Sequence, residues 1–304
     1  MSDAKHDASK ASLPVTANEF VEHELNQRLL AVEAHFSCHA MSFSGPLYQG
    51  VDDILRTRIE NGCKRTPASN KLVILLTTGG GYLEPVLRMV ATLRRHYGVV
   101  DFVIPNYAYS AGTVFAMSGD AIHMDYYSRL GPIDPQIESS SGMSISALGH
   151  LEKFNALMEK AQKGKISTAE VQLLISGFDQ GELYYYEQAR DLSIAAIEEW
   201  LVKYKFKNWT RTQTRKRKVT VAMKKARAKR IGEQLNDTKK WHSHGYGISM
   251  EVLRKDLNLL IDDFGADENR SSVIRSYHDL LSDYMARRTA RGVVHIPGDY
   301  RPFM

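Results

Sequence analysis

The sequence predicts an α/β fold built on a parallel sheet, and three stretches carry that prediction. Lys71-Leu-Val-Ile-Leu-Leu76 and Val99-Val-Asp-Phe-Val-Ile104 are apolar runs of the kind buried on both faces of such a sheet. Between them, Leu83, Val86, Leu87, Val90, Leu93 and Tyr97 recur at helical spacing, with Glu84 and Pro85 suited to a first turn. The first strand opens into Thr77-Thr-Gly-Gly-Gly-Tyr82. The second leads to Asn106-Tyr-Ala-Tyr-Ser-Ala-Gly-Thr113 and the helical run Thr113 to Met117. Two consecutive strand–turn–helix units place both turns at the carboxyl edge of one sheet, where open α/β sheets carry their sites.

The remaining elements follow in chain order. Residues 1–17 are polar and read as a disordered tail. Asn18 to Ala34 carries Phe20, Val21, Leu25, Leu29 and Val32 at near-helical spacing, an amphipathic helix. His35 to Phe43 reads as a first strand, Gly45 to Gly50 as a loop, and Asp52 to Glu60 as a helix closed by Asn61-Gly62. Asp120 to Met124 is a short strand, followed by a rigid turn with two prolines. Beyond residue 146 the pattern is mainly helical, over Ser146 to Ala161, Thr168 to Ile175 and Asp179 to Tyr204. Val219 to Leu235, Glu251 to Asp256 and Glu268 to Arg288 are further helices, and 292–304 reads as an irregular tail. The domain division expected is a core with a helical arm over 18–200, a basic segment and helix over 201–235, and a C-terminal helical region over 236–304.

Composition places the chain among ordinary globular proteins, with 43% apolar and 25% charged residues. No apolar run is long enough for a membrane-spanning helix, and Met1 to Pro14 lacks the apolar stretch of a secretory signal. Cys38 and Cys63 fit a reduced, cytoplasmic setting better than a disulfide framework. No Cys/His spacing resembles a zinc site, so neither metal nor cofactor is expected.

A hydroxyl on a strand-to-helix turn stands at the helix's positive end, where backbone N–H groups without intrahelical partners can stabilise an oxyanion. Ser110 occupies that position, although Tyr-Ser-Ala-Gly is not the G-x-S-x-G elbow of α/β hydrolases. A plain helix-cap role would explain Ser110 alone, but not the matching glycine turn.

Three motifs together, Leu76-Thr-Thr-Gly-Gly-Gly81, Tyr109-Ser-Ala-Gly-Thr113 and Leu130-Gly-Pro-Ile-Asp-Pro-Gln136, resemble the serine dehydrogenase proteinase family. That family belongs to the ClpP/crotonase fold clan, with signal peptide peptidase A and the stomatin-operon partner proteases. The similarity runs in order through roughly residues 34 to 265. It implies a ClpP/crotonase-like repeated β-β-α spiral with helical additions, and a serine peptidase with a Ser-Lys dyad or a variant triad. By position, Ser110 is then the nucleophile, Gly80, Gly81 and Ala111 belong to the oxyanion hole, and Gly131, Pro132 and Asp134 form the supporting turn.

ClpP-like triads carry their base histidine near this turn, whereas here Gly131 to Asp134 contains none. Lys153, in Leu151-Glu-Lys-Phe154, lies at a distance and in a setting similar to the base lysine of the stomatin-partner proteases. A lysine serves as base only if desolvation or a neighbouring cation lowers its pKa. His244, in Lys240-Trp-His-Ser-His-Gly-Tyr-Gly-Ile-Ser249, resembles a His-Asp-Tyr-Pro-Ile motif late in the family's domain and is the second candidate. His123 reads as a core residue in a strand. Asp134 is placed to orient a base or to hold its own turn.

The strongest compositional feature is Lys203 to Arg230, with thirteen Lys or Arg and no Asp or Glu. It reads as a footprint for nucleic acid or an acidic protein partner, with Phe206 and Trp209 able to stack on bases, or as a solvated basic surface. The family's helical arm implies a homo-oligomer. The function expected is a soluble serine endopeptidase acting through an acyl-enzyme on Ser110. Two alternatives are a catalytically weak ClpP-fold scaffold docking through the basic segment, and crotonase-like acyl-CoA chemistry. The last gives no reason for an exposed serine on its own turn.

Overall fold

In the computed structural model, residues 14–138, 144–212 and 214–304 are described. The expected disordered tail over 1–17 therefore falls largely outside the described residues. In chain order the elements are α1 (Ala17–Phe36), β1 (His39–Ser44), α2 (Val51–Gly62), β2 (Lys71–Thr77), α3 (Leu83–His96), β3 (Val99–Val103), β4 (Tyr107–Ala108) and α4 (Ala111–Ala116). There follow β5 (Ala121–Met124), β6 (Arg129–Leu130), β7 (Gln136–Glu138), β8 (Ser144–Ser146), α5 (Ala147–Gln162), α6 (Thr168–Gly177) and α7 (Gln180–Trp200). The chain closes with α8 (Val221–Leu235), α9 (Thr238–Trp241), β9 (Ile248–Ser249), α10 (Met250–Lys255), β10 (Asp262–Asp263), α11 (Glu268–Arg287), β11 (Gly292–Ile296) and β12 (Asp299–Phe303).

Seven strands form the central sheet in the order β10-β5-β3-β2-β1-β11-β12. The five from β10 to β1 run parallel, and the β11–β12 hairpin adds antiparallel to β1. The apolar runs are explained by burial on two faces. Leu72, Ile74 and Leu76 of β2 enter a core beneath α2 and α3, while Val73 and Leu75 enter a second core beneath α1 and α11. Phe43 and Phe102 join the first core; Leu25, Leu29, Tyr277 and Leu281 fill the second. The parallel α/β class is therefore as the sequence predicts.

Four local expectations need correction. Residues 292–304 are not an irregular tail but the β11–β12 hairpin, whose Val293 and Val294 are fully buried. This β signal is short and only half of it is apolar, so it becomes a strand through pairing with β1. The first strand starts at His39 because α1 runs on to Phe36 and stops at Ser37 in the left-handed region (φ 50°). Asn61-Gly62 stays helical, and Cys63 closes α2 with right-handed geometry. The α1 start is a capping box, in which Thr16 Oγ1 accepts from Glu19 N–H and the Glu19 carboxylate accepts from the Thr16 N–H. The long helix expected over Asp179 to Tyr204 ends at Trp200 and continues as a π turn over Leu201–Lys205. Both cysteines are free thiols. Among the described residues, no helix is long and apolar enough to cross a membrane.

β11 is tied to both outer helices through His295, which is fully buried. Its Nε2–H donates to Asn26 Oδ1 (3.1 Å), which also accepts from Gly298 N–H, while its Nδ1 accepts from the Tyr277 hydroxyl (2.8 Å). The Nδ1 bond requires the neutral ring, and burial pushes the His295 pKa down to about 3. The unfolded chain therefore binds a proton below its ordinary value of about 6.5 that the folded chain refuses. Stability should fall as pH drops below that value, by about 2 kcal/mol at pH 5 from this group alone. Urea unfolding at pH 7 and pH 5 measures it, and His295→Gln should flatten the dependence.

Candidate active site

The two turns at the carboxyl edge of the sheet interlock through backbone bonds. Thr78 N–H donates to Tyr107 C=O (3.0 Å), and Tyr109 N–H donates to Thr78 C=O (2.9 Å). The glycine turn is held from its other side by Leu47, whose N–H donates to Gly80 C=O (2.8 Å) and whose C=O accepts from Tyr82 N–H (2.7 Å). Gly81 sits at φ 139°, and a methyl there would collide with the Leu47 carbonyl. Gly80 is at φ 101°, and its missing Cβ would lie 2.7 Å from both Ser110 Cβ and Tyr109 O. Only glycine lets this backbone lie against the serine.

Ser110 itself has φ 54° and ψ −124°, a conformation that L-residues rarely adopt. It precedes α4 but makes no side-chain cap bond. A helix-capping role therefore does not account for it. Among the described residues no acceptor takes the N–H of Ala111 or of Gly81, and Ser110 Oγ has no hydrogen-bond partner. Gly80 N–H, by contrast, is engaged by Thr78 Oγ1 at 3.0 Å. Of the three expected oxyanion-hole residues, Gly81 and Ala111 carry available donors, and Gly80 shapes the turn.

The Leu130–Gln136 turn is fastened to α4 by Thr113, which is fully buried. Its hydroxyl accepts from Gly131 N–H (2.9 Å) and lies 2.7 Å from Ala108 C=O and 2.9 Å from Gly131 C=O. Gly131 also packs on the Tyr109 ring. A small sheet extends this arrangement: β4 pairs parallel with β6, and β6 pairs antiparallel with β9. Ala108, Leu130 and Ile248 are register partners across it, so the segment before Ile248 lies about 10 Å, or two strand spacings, from the serine turn.

That segment contains His244. Its Nδ1 meets Asp134 Oδ1 at 2.8 Å, and Asp134 is buried, with its Oδ2 accepting from Gln136 Nε2 (2.8 Å). The carboxylate can accept only, so Nδ1 carries a proton, and in the neutral ring Nε2 then keeps the lone pair. Asp134 thus does more than hold its own turn: it orients a histidine 110 residues away in sequence. The pair is not legible in the sequence; an Asp in a rigid turn and a His in a glycine-flanked loop are the separate signals.

Lys153 is exposed on α5, lining a cleft of about 470 Å³ with residues of α6 such as Leu173. It lacks the apolar enclosure that a base lysine requires. His123 is a buried β5 residue 3.7 Å from Asp101 and 3.9 Å from Asp262. Asp101 also pairs with Lys71 at 2.7 Å, and its carboxyl is held below the usual range, the side-chain bonds and charges of His123 and Lys71 outweighing burial.

Over residues 26–163 the chain matches the model of the ClpP-like SDH-type serine proteinase family. The matched region contains Gly80, Gly81, Ser110, Ala111, Asp134 and Lys153, and ends before His244. The uncharacterized protein MJ1495 of Methanocaldococcus jannaschii is 27% identical over 153 residues, covering 50% of each chain. The uncharacterized protein MJ0137 of the same organism is 28% identical over 103 residues, covering 34% of this chain and 36% of that one. The chain thus spans about half the length of the first relative and about a third of the second. Two mutant structures of the 1510-N membrane-bound stomatin-specific protease, one in complex with a substrate peptide, align with a TM-score of 0.42 each. They are 14% and 15% identical, covering 73% of this chain and 77% and 73% of theirs.

Replacing the Thr113 hydroxyl leaves Gly131 N–H buried without an acceptor, which costs about 1–3 kcal/mol. Thr113→Val should therefore lower stability by that amount in chemical denaturation, and Thr113→Ser should restore most of it.

Proposed function

We propose that this chain is a serine endopeptidase that hydrolyses peptide bonds through an acyl-enzyme on Ser110. The observation that carries the reading is the strained Ser110 backbone between two N–H groups, of Gly81 and Ala111, that have no acceptor among the described residues. Strain in this region costs on the order of 1–3 kcal/mol and persists where surrounding structure over-determines it. It turns the hydroxyl away from a capping role, and the two donors suit the oxygen of a tetrahedral intermediate.

His244 is the general base in this reading, with Asp134 as its orienting carboxylate. Nε2 takes the Ser110 proton during attack and returns it to the leaving amine; the carboxylate stabilises the imidazolium between these steps. Substrate brings Ser110 and His244 into hydrogen-bond reach, since catalytic bonds commonly tighten only in the loaded complex. Lys153 as base would require α5 to move and bury its ammonium against the serine turn. The arm of α5, α6 and α7 also supports assembly of several copies, because Leu173, Ile175 and Tyr184 are exposed on it. The scaffold alternative would hold if the strained serine proved unreactive.

Covalent labelling by a fluorophosphonate probe tests all of this. Ser110→Ala should abolish labelling. His244→Gln should slow it by about a hundredfold or more, Asp134→Asn by less, and Lys153→Ala should leave it within about twofold. Loss in Lys153→Ala with retention in His244→Gln would return the base to the lysine. No labelling of the folded parent would favour the scaffold.

A further inference from the structure

The catalytic reading leaves the basic stretch from Lys203 to Arg230 unused, and the structure gives it a definite form. Residues 209–212 and 214–219 run back against each other, bridged at Arg211 and Lys218, with Val219 N–H donating to Thr210 C=O (2.9 Å). α8 then packs Ala228, Ile231 and Leu235 inward and leaves Lys225, Lys229 and Arg230 exposed. Of the thirteen cations, only Lys207 forms an ion pair among the described residues, with Asp120. An acidic patch elsewhere on the chain does not neutralise the rest.

Between the π turn, this loop, α8 and the segment after α10 lies a cleft of about 590 Å³. Lys205, Trp209, Arg227 and Asn258 line it, together with Phe206 and Leu260. Its size is that of a small-ligand site. The rings of Phe206 and Trp209 meet edge to face at 5.6 Å, and Leu260 is three-quarters exposed. Arg227 donates one bond to Leu257 C=O and has no carboxylate partner among the described residues.

Lys205 is the second cation of the cleft without a carboxylate partner among the described residues. The acids whose charge acts on it are Asp262, Asp101 and Asp120. Lys71 already pairs with Asp101, and Arg94 and Lys207 with Asp120. Burial pushes the Lys205 ammonium down to about 8, against the pull of these three acids.

From this arrangement we infer that the cleft binds one nucleotide unit of a single-stranded nucleic acid, its base against Trp209 and its phosphates on Lys205 and Arg227. An aromatic face beside unpaired cations suits a base–phosphate unit. The exposed cations of the loop and α8, continuous with the cleft, supply contacts to phosphates on either side. That continuity favours a strand over a free nucleotide.

The test is fluorescence anisotropy of a labelled single-stranded oligonucleotide of about 20 residues with the full chain, over a salt series. Binding should weaken linearly in log–log form as salt rises. Trp209→Ala should weaken it by about five- to a hundredfold, with Trp209→Phe close to the parent. Lys205→Gln and Arg227→Gln should each reduce the salt slope by about 0.7. The inference fails if the parent does not bind at low salt, or if Trp209→Ala leaves the affinity and Lys205→Gln the salt slope unchanged. It also fails if duplex DNA, heparin or a free mononucleotide competes as well as the unlabelled strand.

Discussion

Everything at the carboxyl edge depends on keeping one residue in a conformation it would not choose. Ser110 at φ 54° relaxes unless its neighbours forbid it, and they do so from three directions. Gly80 and Gly81 press the first turn against it, Thr78 clamps the backbone on either side of Ala108, and the Thr113 hydroxyl fixes the helix to the proline-rich turn. Each of these contacts is buried or backbone-mediated, so solvent cannot substitute for any of them. The strain is stored because the fold around it is stiffer than the serine.

That stiffness comes from a sheet covered on both faces. Strands β2 and β3 send alternate side chains into two separate cores, so neither turn can shift without disturbing both. Acids in and beside the sheet are paired with cations: Asp120 with Arg94, Asp101 with Lys71 and Asp125 with Arg275. Burial raises these carboxyl pKa values, but the paired cations and hydrogen bonds more than offset it and hold them below the usual range. Arg275 also donates to Pro105 C=O (2.6 Å), which ties α11 to the segment leading into the serine turn.

Much of this frame is legible in the amino-acid sequence. Lys71 to Leu76 and Val99 to Ile104 announce buried strands because few solvent-facing residues interrupt them. Helix starts are accurate where capping chemistry is local, as at α6, which Ser167 caps with Glu170 in its first turn. Expectations fail where pairing from afar decides the outcome. Residues 292–304 form a hairpin in the main sheet, and the helix expected to run through Tyr204 passes into a π turn.

The candidate site divides along the same line. By itself the sequence determined that Ser110 follows a strand, faces a glycine turn and shares the motifs of a proteinase family, because strand–turn–helix spacing is a short-range property. It also displayed a run of cations without acids. Only the tertiary structure decided that Asp134 meets His244 across 110 positions, that Lys153 stays on an exposed helix, and that Lys205 and Arg227 line one cleft with Trp209. Such pairings depend on the register of β4, β6 and β9 and on how α8 packs against α7. No local pattern of residues encodes a meeting between elements that the sheet must first assemble.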